Sequence, residues 1–286
     1  MTPLTVLRLG RVSNLPTVWT NAMAGAVLAA GAGGATAVGG WAIAGAALTL
    51  SLFYIGGMWL NDAYDAEIDA GERSARPIPA GEVARGIVFA VGFALLGLGI
   101  VLALFFGWRA GLAALALALV VILYDWSHKR TVLAPLIMGA ARFLSYVFAA
   151  VALGVLGGDV LLGAAGLAAH VVGLTYAARQ EAYDRLDRAW PLAVLAVPLA
   201  VAAILSHGLL FAGLLWLGLV GVTVAAIWLL FRRRPGDVPR AVVTMIAGIA
   251  LYDAVLVAGV QQHGAAFLAL LAFGATLLLQ RVVPGT

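Results

Sequence analysis

Ten long apolar segments occupy most of this chain of 286 residues, and they constrain the fold more than any other feature. Cutting at charges, turns and Gly/Pro clusters places them at about 15–32, 38–60, 85–106, 110–126, 132–154, 160–180, 190–206, 209–231, 241–260 and 264–281. Most approach the ~20 residues that cross a hydrocarbon core as an α-helix; the fourth and seventh are the shortest. A membrane barrel would instead read as short alternating strands. Charged residues make up 10% of the chain and the mean hydropathy is +1.05, against about a quarter charged in soluble domains. The 35 glycines suit helices packed closely in lipid. The expected fold is therefore all-α: a polytopic membrane helical bundle of nine to ten transmembrane helices, forming one domain over 1–286. With no cysteine present, disulfides, iron–sulfur clusters, thiolate metal sites and cysteine nucleophiles are excluded.

Arg8 and Arg11 precede the first apolar segment, and no small-residue cleavage site follows it, so it reads as a retained helix and not a signal peptide. Basic residues mark the inner side of a membrane. With ten crossings and the N-terminus inside, 15 of the 17 Lys and Arg fall inside; Arg109 lies outside and Arg142 within a span. This predicts a multi-pass protein of the inner (plasma) membrane with both termini cytoplasmic. The net charge of +4 is accounted for by topology, so the expected partner is the lipid bilayer and not nucleic acid. Trp19, Trp41, Trp108, Trp126, Trp190 and Trp228 sit near segment ends, where indoles favour the interface.

Acidic residues gather at two places. "NDAYDAEIDAGERSARPIPAG" (61–81) follows the second span and carries Asp62, Asp65, Glu67, Asp69 and Glu72; Glu181, Asp184 and Asp187 follow the sixth. Two acid clusters four crossings apart suggest two pseudo-repeated four-helix units, with further helices after the second. Asn61, Asp65 and Asp69 are spaced i, i+4, i+8, which on a continued helix is one face. With Asp62 beside them, these oxygens suit Mg²⁺, which takes a few protein oxygens and completes its shell with water and phosphate. The plainer possibility is a solvated helix end whose acids pair with Arg73, Arg76 and Arg85.

"NDAYDAEID" followed by "RPIPAG" resembles the NDxxDxxxD signature and adjoining RPxPxG loop of the UbiA superfamily of intramembrane prenyltransferases. "YDWSHKRT" (124–131) is similar to that family's Y-x-x-x-K-R segment, with the basic pair shifted by one position. "MGAARFLSYVFAAVALG" and "GLTYAARQEA" resemble the EboC-like branch of secondary-metabolite gene clusters. The resemblance implies helices around a central cavity, with Mg²⁺ held between two acidic motifs that grip a polyprenyl diphosphate. It implies catalytic roles for Asp65, Asp69, Tyr124, Lys129 and Arg130, the basic pair neutralising the departing diphosphate. It further implies that Asn61, Asp62, Asp65, Asp69, Glu181 and Asp184 hold metal, and that Asn61, Arg76 and Gln180 contact substrate.

The second motif departs from the family pattern. Where a DxxxD is usual, "RQEAYDRLD" puts Gln180 at the first position and Asp184 at the second. Glu181 and Asp184, at i and i+3, can still face one way. A Gln offers metal a neutral oxygen and no charge.

Three ionisable residues lie about 16–20 Å inside the bilayer by helix rise: Arg142, His170 and Asp253. Charges at that depth normally pair or line a cavity. The expectation is an Arg142–Asp253 ion pair with His170 nearby, tying the halves together or recognising a polar acceptor. Asn14, Thr20 and Asn21 are further cavity-lining candidates. The expected function is Mg²⁺-dependent prenyl transfer from a polyprenyl diphosphate to a small acceptor, aromatic or another metabolite. The alternatives are a UbiA-type terpene cyclase and a non-catalytic isoprenoid-phosphate carrier or transporter.

Overall fold

The computed structural model describes residues 1–33, 38–179 and 189–283. Among the described residues there is no strand, and seven helices are long and apolar enough to cross a membrane. A short helix α1 (Pro3–Leu9) precedes α2 (Leu15–Ala32), α3 (Gly40–Glu72), α4 (Arg85–Leu104), α5 (Trp108–Ser127), α6 (Ala134–Leu153) and α7 (Gly158–Ala178). A 3₁₀ turn over Trp190–Leu195 runs into α8 (Ala196–Ser206), followed by α9 (Leu210–Arg232), α10 (Asp237–Gly259) and α11 (His263–Leu279). Each of the ten sequence segments corresponds to one of these helices, and the protein is a multi-pass membrane bundle.

The boundary that matters most differs from the hydropathy reading. Apolar character ends at residue 60, yet α3 continues unbroken to Glu72. Its 33 residues rise about 50 Å, against a hydrocarbon core of about 30 Å, so the last turns project beyond it. Strong helix formers such as Ala63, Ala66, Glu67 and Ala70 carry the helix on where hydropathy fails. Helices α4 and α5 lie very close to α3. A Cβ added at Gly92 would sit 2.8 Å from Leu60, and one at Gly57 would sit 2.8 Å from Val121. Glycine is what permits that approach.

The apolar interior has two main parts. One gathers Val18, Leu50, Phe53, Leu60, Leu96, Leu117 and Phe148, around α2–α6. The other runs through α6–α11, with α2 shared. Helix α10, which follows the expected second unit, is the most enclosed span: 89% of its apolar window is buried, against 28% in α4 and α9. It packs on α2, α7, α8, α9 and α11. It is a central post of the bundle and not an outer addition.

Candidate active site

Because α3 stays helical past the apolar core, the i, i+4, i+8 spacing becomes a physical face. Asn61, Asp62, Asp65 and Asp69 are all buried, whereas Glu67, on the other side, is exposed and pairs with Arg85 at 2.7 Å. The acid run thus divides by helix rotation. The expected pairing with Arg85 falls on the solvated Glu67, while the expected pairing with Arg76 falls on Asp62 and Asp69 within the buried four.

Basic groups from three other segments close on this face. Arg11 donates from Nη2 to Asn61 Oδ1 and Asp62 Oδ1, both at 3.1 Å. Arg76, from the loop after α3, donates from Nη1 to Asp62 Oδ1 at 3.0 Å and Asp69 Oδ2 at 2.9 Å. His128 Nε2 lies 3.1 Å and Lys129 Nζ 4.0 Å from Asp65 Oδ2. The Arg11 backbone is left-handed, with φ 42 and ψ 47, a conformation that costs a non-glycine residue energy and persists where the surroundings impose it. Here Tyr54 Oη donates to the Arg11 carbonyl at 3.4 Å and accepts from Asn14 Nδ2 at 3.0 Å. Gln280 of the C-terminal end donates in turn to Asn14 Oδ1 at 2.9 Å. Burial opposes the Arg11 charge most strongly, but Asp62, Tyr54 and Tyr124 together outweigh it and hold the pKa above its ordinary value. Arg76 is pulled the other way, first by burial and then by the nearby Arg11 charge, against Asp62 and Asp69.

Beside the acid face lies a cavity of about 90 Å³ whose walls are mostly apolar, among them Leu50, Phe53, Leu117 and Val121. Its polar lining comes from Tyr54, Tyr124, Asp125, Arg142 and Ser145. Asp125 joins cavity to acid face: its Oδ1 accepts from Asn61 Nδ2 at 3.2 Å, while Oδ2 is buried and unpartnered. Tyr124 stacks on His128, ring centroids 4.9 Å apart.

The expected Arg142–Asp253 ion pair is corrected by the structure. Arg142 Nη1 donates to Asn21 Oδ1 at 2.6 Å, and Asn21 Nδ2 donates to Asp253 Oδ2 at 2.7 Å. Asn21 stands between the charges, and Tyr146 Oη donates to the other Asp253 oxygen at 2.5 Å. His170 is not in this chain: its Nε2 meets the Met245 carbonyl at 2.8 Å, between α7 and α10.

Among the sequence candidates, Asn61, Asp62, Asp65, Asp69, Arg76 and Lys129 therefore come together, with Tyr124 and Arg142 at the cavity. Asn14 and Asn21 act one bond back, through Tyr54 and Arg142. Arg130 is exposed with its guanidinium over the Trp126 ring at 6.0 Å. Gln180, Glu181, Asp184 and Asp187 lie outside the described residues. Arg11, Tyr54, Asp125 and His128 emerge only here; Arg11 had counted merely as a topology marker, and Asp125 and His128 sit unremarked inside "YDWSHKRT".

Among the described residues, no three His, Asp or Glu side chains gather closely enough to hold a cation alone. The donor set on α3 nevertheless suits Mg²⁺ shared with a diphosphate, because that ion needs only one or two carboxylates when phosphate oxygens and water fill its shell. The fit is to a substrate-bridged metal, not to a closed protein cage.

The sequence pattern of the UbiA prenyltransferase family matches residues 18–237. The chain belongs to that family. The expected class, a prenyltransferase, is the class of the family. Similar curated relatives include two digeranylgeranylglyceryl phosphate synthases. The one from Methanothermobacter thermautotrophicus is 32% identical over 36% of this chain and 37% of its own length. The one from Metallosphaera sedula is 34% identical over 36% and 37%. The match thus spans little more than a third of these relatives. A solved structure of a digeranylgeranylglyceryl phosphate synthase in membranes has a TM-score of 0.64 at 18% identity, covering 90% of this chain and 98% of that one; it shares the fold.

Proposed function

We propose that the protein transfers a prenyl group from a polyprenyl diphosphate to a small acceptor at the cytoplasmic side of the inner membrane, with Mg²⁺ shared between protein and diphosphate. The observation that carries this reading is the buried α3 face, ringed by basic groups and opening through Asp125 onto an apolar cavity. The acid face, with Asp62, Asp65 and Asp69 as ligands and Asn61 beside them, would hold the metal, which supplies Lewis-acid neutralisation of the diphosphate. Arg11, Arg76 and Lys129 oppose the charge that builds as the allylic C–O bond breaks, the kind of preorganised electrostatic help that dominates such ionisations. The apolar walls keep water from the allylic carbon and receive the isoprenoid tail. The acceptor's nucleophile then forms the new bond to that carbon, and its proton passes to the departed diphosphate. The EboC-like sequence blocks support a small metabolite of secondary metabolism as acceptor; the names of the matched relatives support a geranylgeranyl donor and a glyceryl phosphate.

Prenyl transfer is favoured over terpene cyclisation by one feature of the cavity. A cyclising carbocation migrates along its own chain within the pocket, and Arg142 places a guanidinium in that wall, which repels it. The test is mass-spectrometric product analysis of purified protein with Mg²⁺, geranyl, farnesyl or geranylgeranyl diphosphate, and a panel of acceptors. A prenylated acceptor that vanishes in Asp65→Asn supports transfer. A cyclic hydrocarbon without acceptor supports the cyclase, and tight binding with no diphosphate release supports a carrier.

A further inference from the structure

The mid-membrane chain Arg142–Asn21–Asp253–Tyr146 has a logic that goes beyond tying helices together. Asp253 is wholly buried on α10. Its carboxylate accepts from Tyr146 on one oxygen and from Asn21 on the other. A carboxylate that takes Asn21's Nδ2 leaves the amide no freedom to turn, so Asn21 must offer Oδ1 to Arg142. Arg142 spends Nη1 on that oxygen and makes one long contact, 3.4 Å, from Nη2 to Thr17. The guanidinium has five N–H donors in a fixed fork, and among the described residues its positive charge touches no carboxylate. It sits about 12 Å along α6 from the start at Ala134. There it lines the same cavity as Asp125 and Tyr124 and rests 5.7 Å from the Tyr54 ring centroid. A half-buried guanidinium held by a neutral amide and facing a cavity is an incomplete anion site, since an unpaired charge at membrane depth is costly. A guanidinium fork matches the oxygens of a carboxylate or a phosphate.

We propose that Arg142 selects the acceptor by binding its acidic group, a carboxylate or a phosphate, and that Asp253 positions Arg142 by fixing the orientation of Asn21. Asp253 lies beyond the segment that matches the family pattern. The apolar side of the cavity is left to the prenyl tail, and the acceptor's nucleophile is held toward Asp125 and the diphosphate end. This assignment rests on the transferase reading above.

The test measures affinities of full-length protein in nanodiscs for paired probes: 4-hydroxybenzoate against 4-hydroxybenzamide, and glycerol 1-phosphate against glycerol. The first pair detects a carboxylate, the second a phosphate. One acidic probe is expected to bind at least about tenfold more tightly than its neutral partner, the worth of one charge-assisted contact. Arg142→Gln erases that preference and Arg142→Lys retains part of it. Asp253→Asn, which frees Asn21 to turn, weakens the acidic probe severalfold while the neutral probe is unchanged, a selectivity shift that loss of packing would not produce. If wild-type protein binds neither acid in preference to its neutral partner, or if Arg142→Gln keeps the preference, the proposal falls. Should the variants fail to fold, the wild-type comparison decides alone. Mg²⁺-dependent diphosphate release from geranylgeranyl diphosphate, read in the same preparation, separates this failure from failure of the transferase reading.

Discussion

The molecule handles buried charge in two opposite ways. At the end of α3, Arg11, Arg76, His128 and Lys129 meet Asp62, Asp65 and Asp69 directly, and Asp62 Oδ1 is shared by two guanidinium groups. Mid-membrane, Arg142 and Asp253 are kept apart by a neutral amide, and hydrogen bonds fix each of them. Direct pairs near the rim can exchange partners when a diphosphate arrives, because the arginines have equivalent oxygens to move to. The deep chain has one arrangement and no solvent to rescue a broken link. The comparison teaches that the rim is built to trade contacts, and the deep chain to hold one guanidinium still.

Substitutions can break this contrast at either end. The largest effect is expected at the rim: Asp65→Asn and Asp69→Asn should each lower turnover by a hundredfold or more, roughly the cost of losing a main electrostatic contributor, read as diphosphate release. Next, Arg11→Ala should raise KM for the prenyl diphosphate by about tenfold or more, as one charge-assisted contact goes, and steady-state kinetics check it. In the deep chain, Asn21→Leu should lower thermal stability markedly, because removing one member of a buried charged network costs about 3 kcal/mol or more; a melting curve in nanodiscs reads it. Asp187→Asn should leave most of the turnover. The smallest effect should come from Glu67→Gln, whose exposed pair with Arg85 contributes little; both melting temperature and turnover should stay at wild-type values.

Much of this was legible in the residues, and the failures share a cause. Span ends followed from Pro, Gly and charge: the fourth span, read as 110–126, is Trp108–Ser127. The end of α3 escaped because hydropathy reports the solvent a residue prefers, while helix continuation depends on backbone propensity and on Arg76 capturing Asp69 seven residues earlier. The spacing of Asn61, Asp65 and Asp69 is local and periodic, so it could be read directly. Arg11 meets Asp62 across 51 positions of sequence, and no local pattern encodes that meeting. For Arg142 and Asp253, helix rise gave matching depths but not rotation, and rotation is what inserts Asn21 between them. Asp125 was hidden by company: in "YDWSHKRT" the basic pair draws the eye, and only the packing of α5 against α3 turns that carboxylate toward Asn61.

The central claim is that the buried face of α3 holds a diphosphate through Mg²⁺. It is tested most directly by single-turnover diphosphate release from geranylgeranyl diphosphate, comparing wild-type protein with Asp65→Asn across a Mg²⁺ titration. The account predicts release by the wild type that rises with Mg²⁺ and is abolished by chelation, with almost none from Asp65→Asn at any Mg²⁺ concentration. Full release by Asp65→Asn, or release by the wild type that is indifferent to chelation, would contradict it.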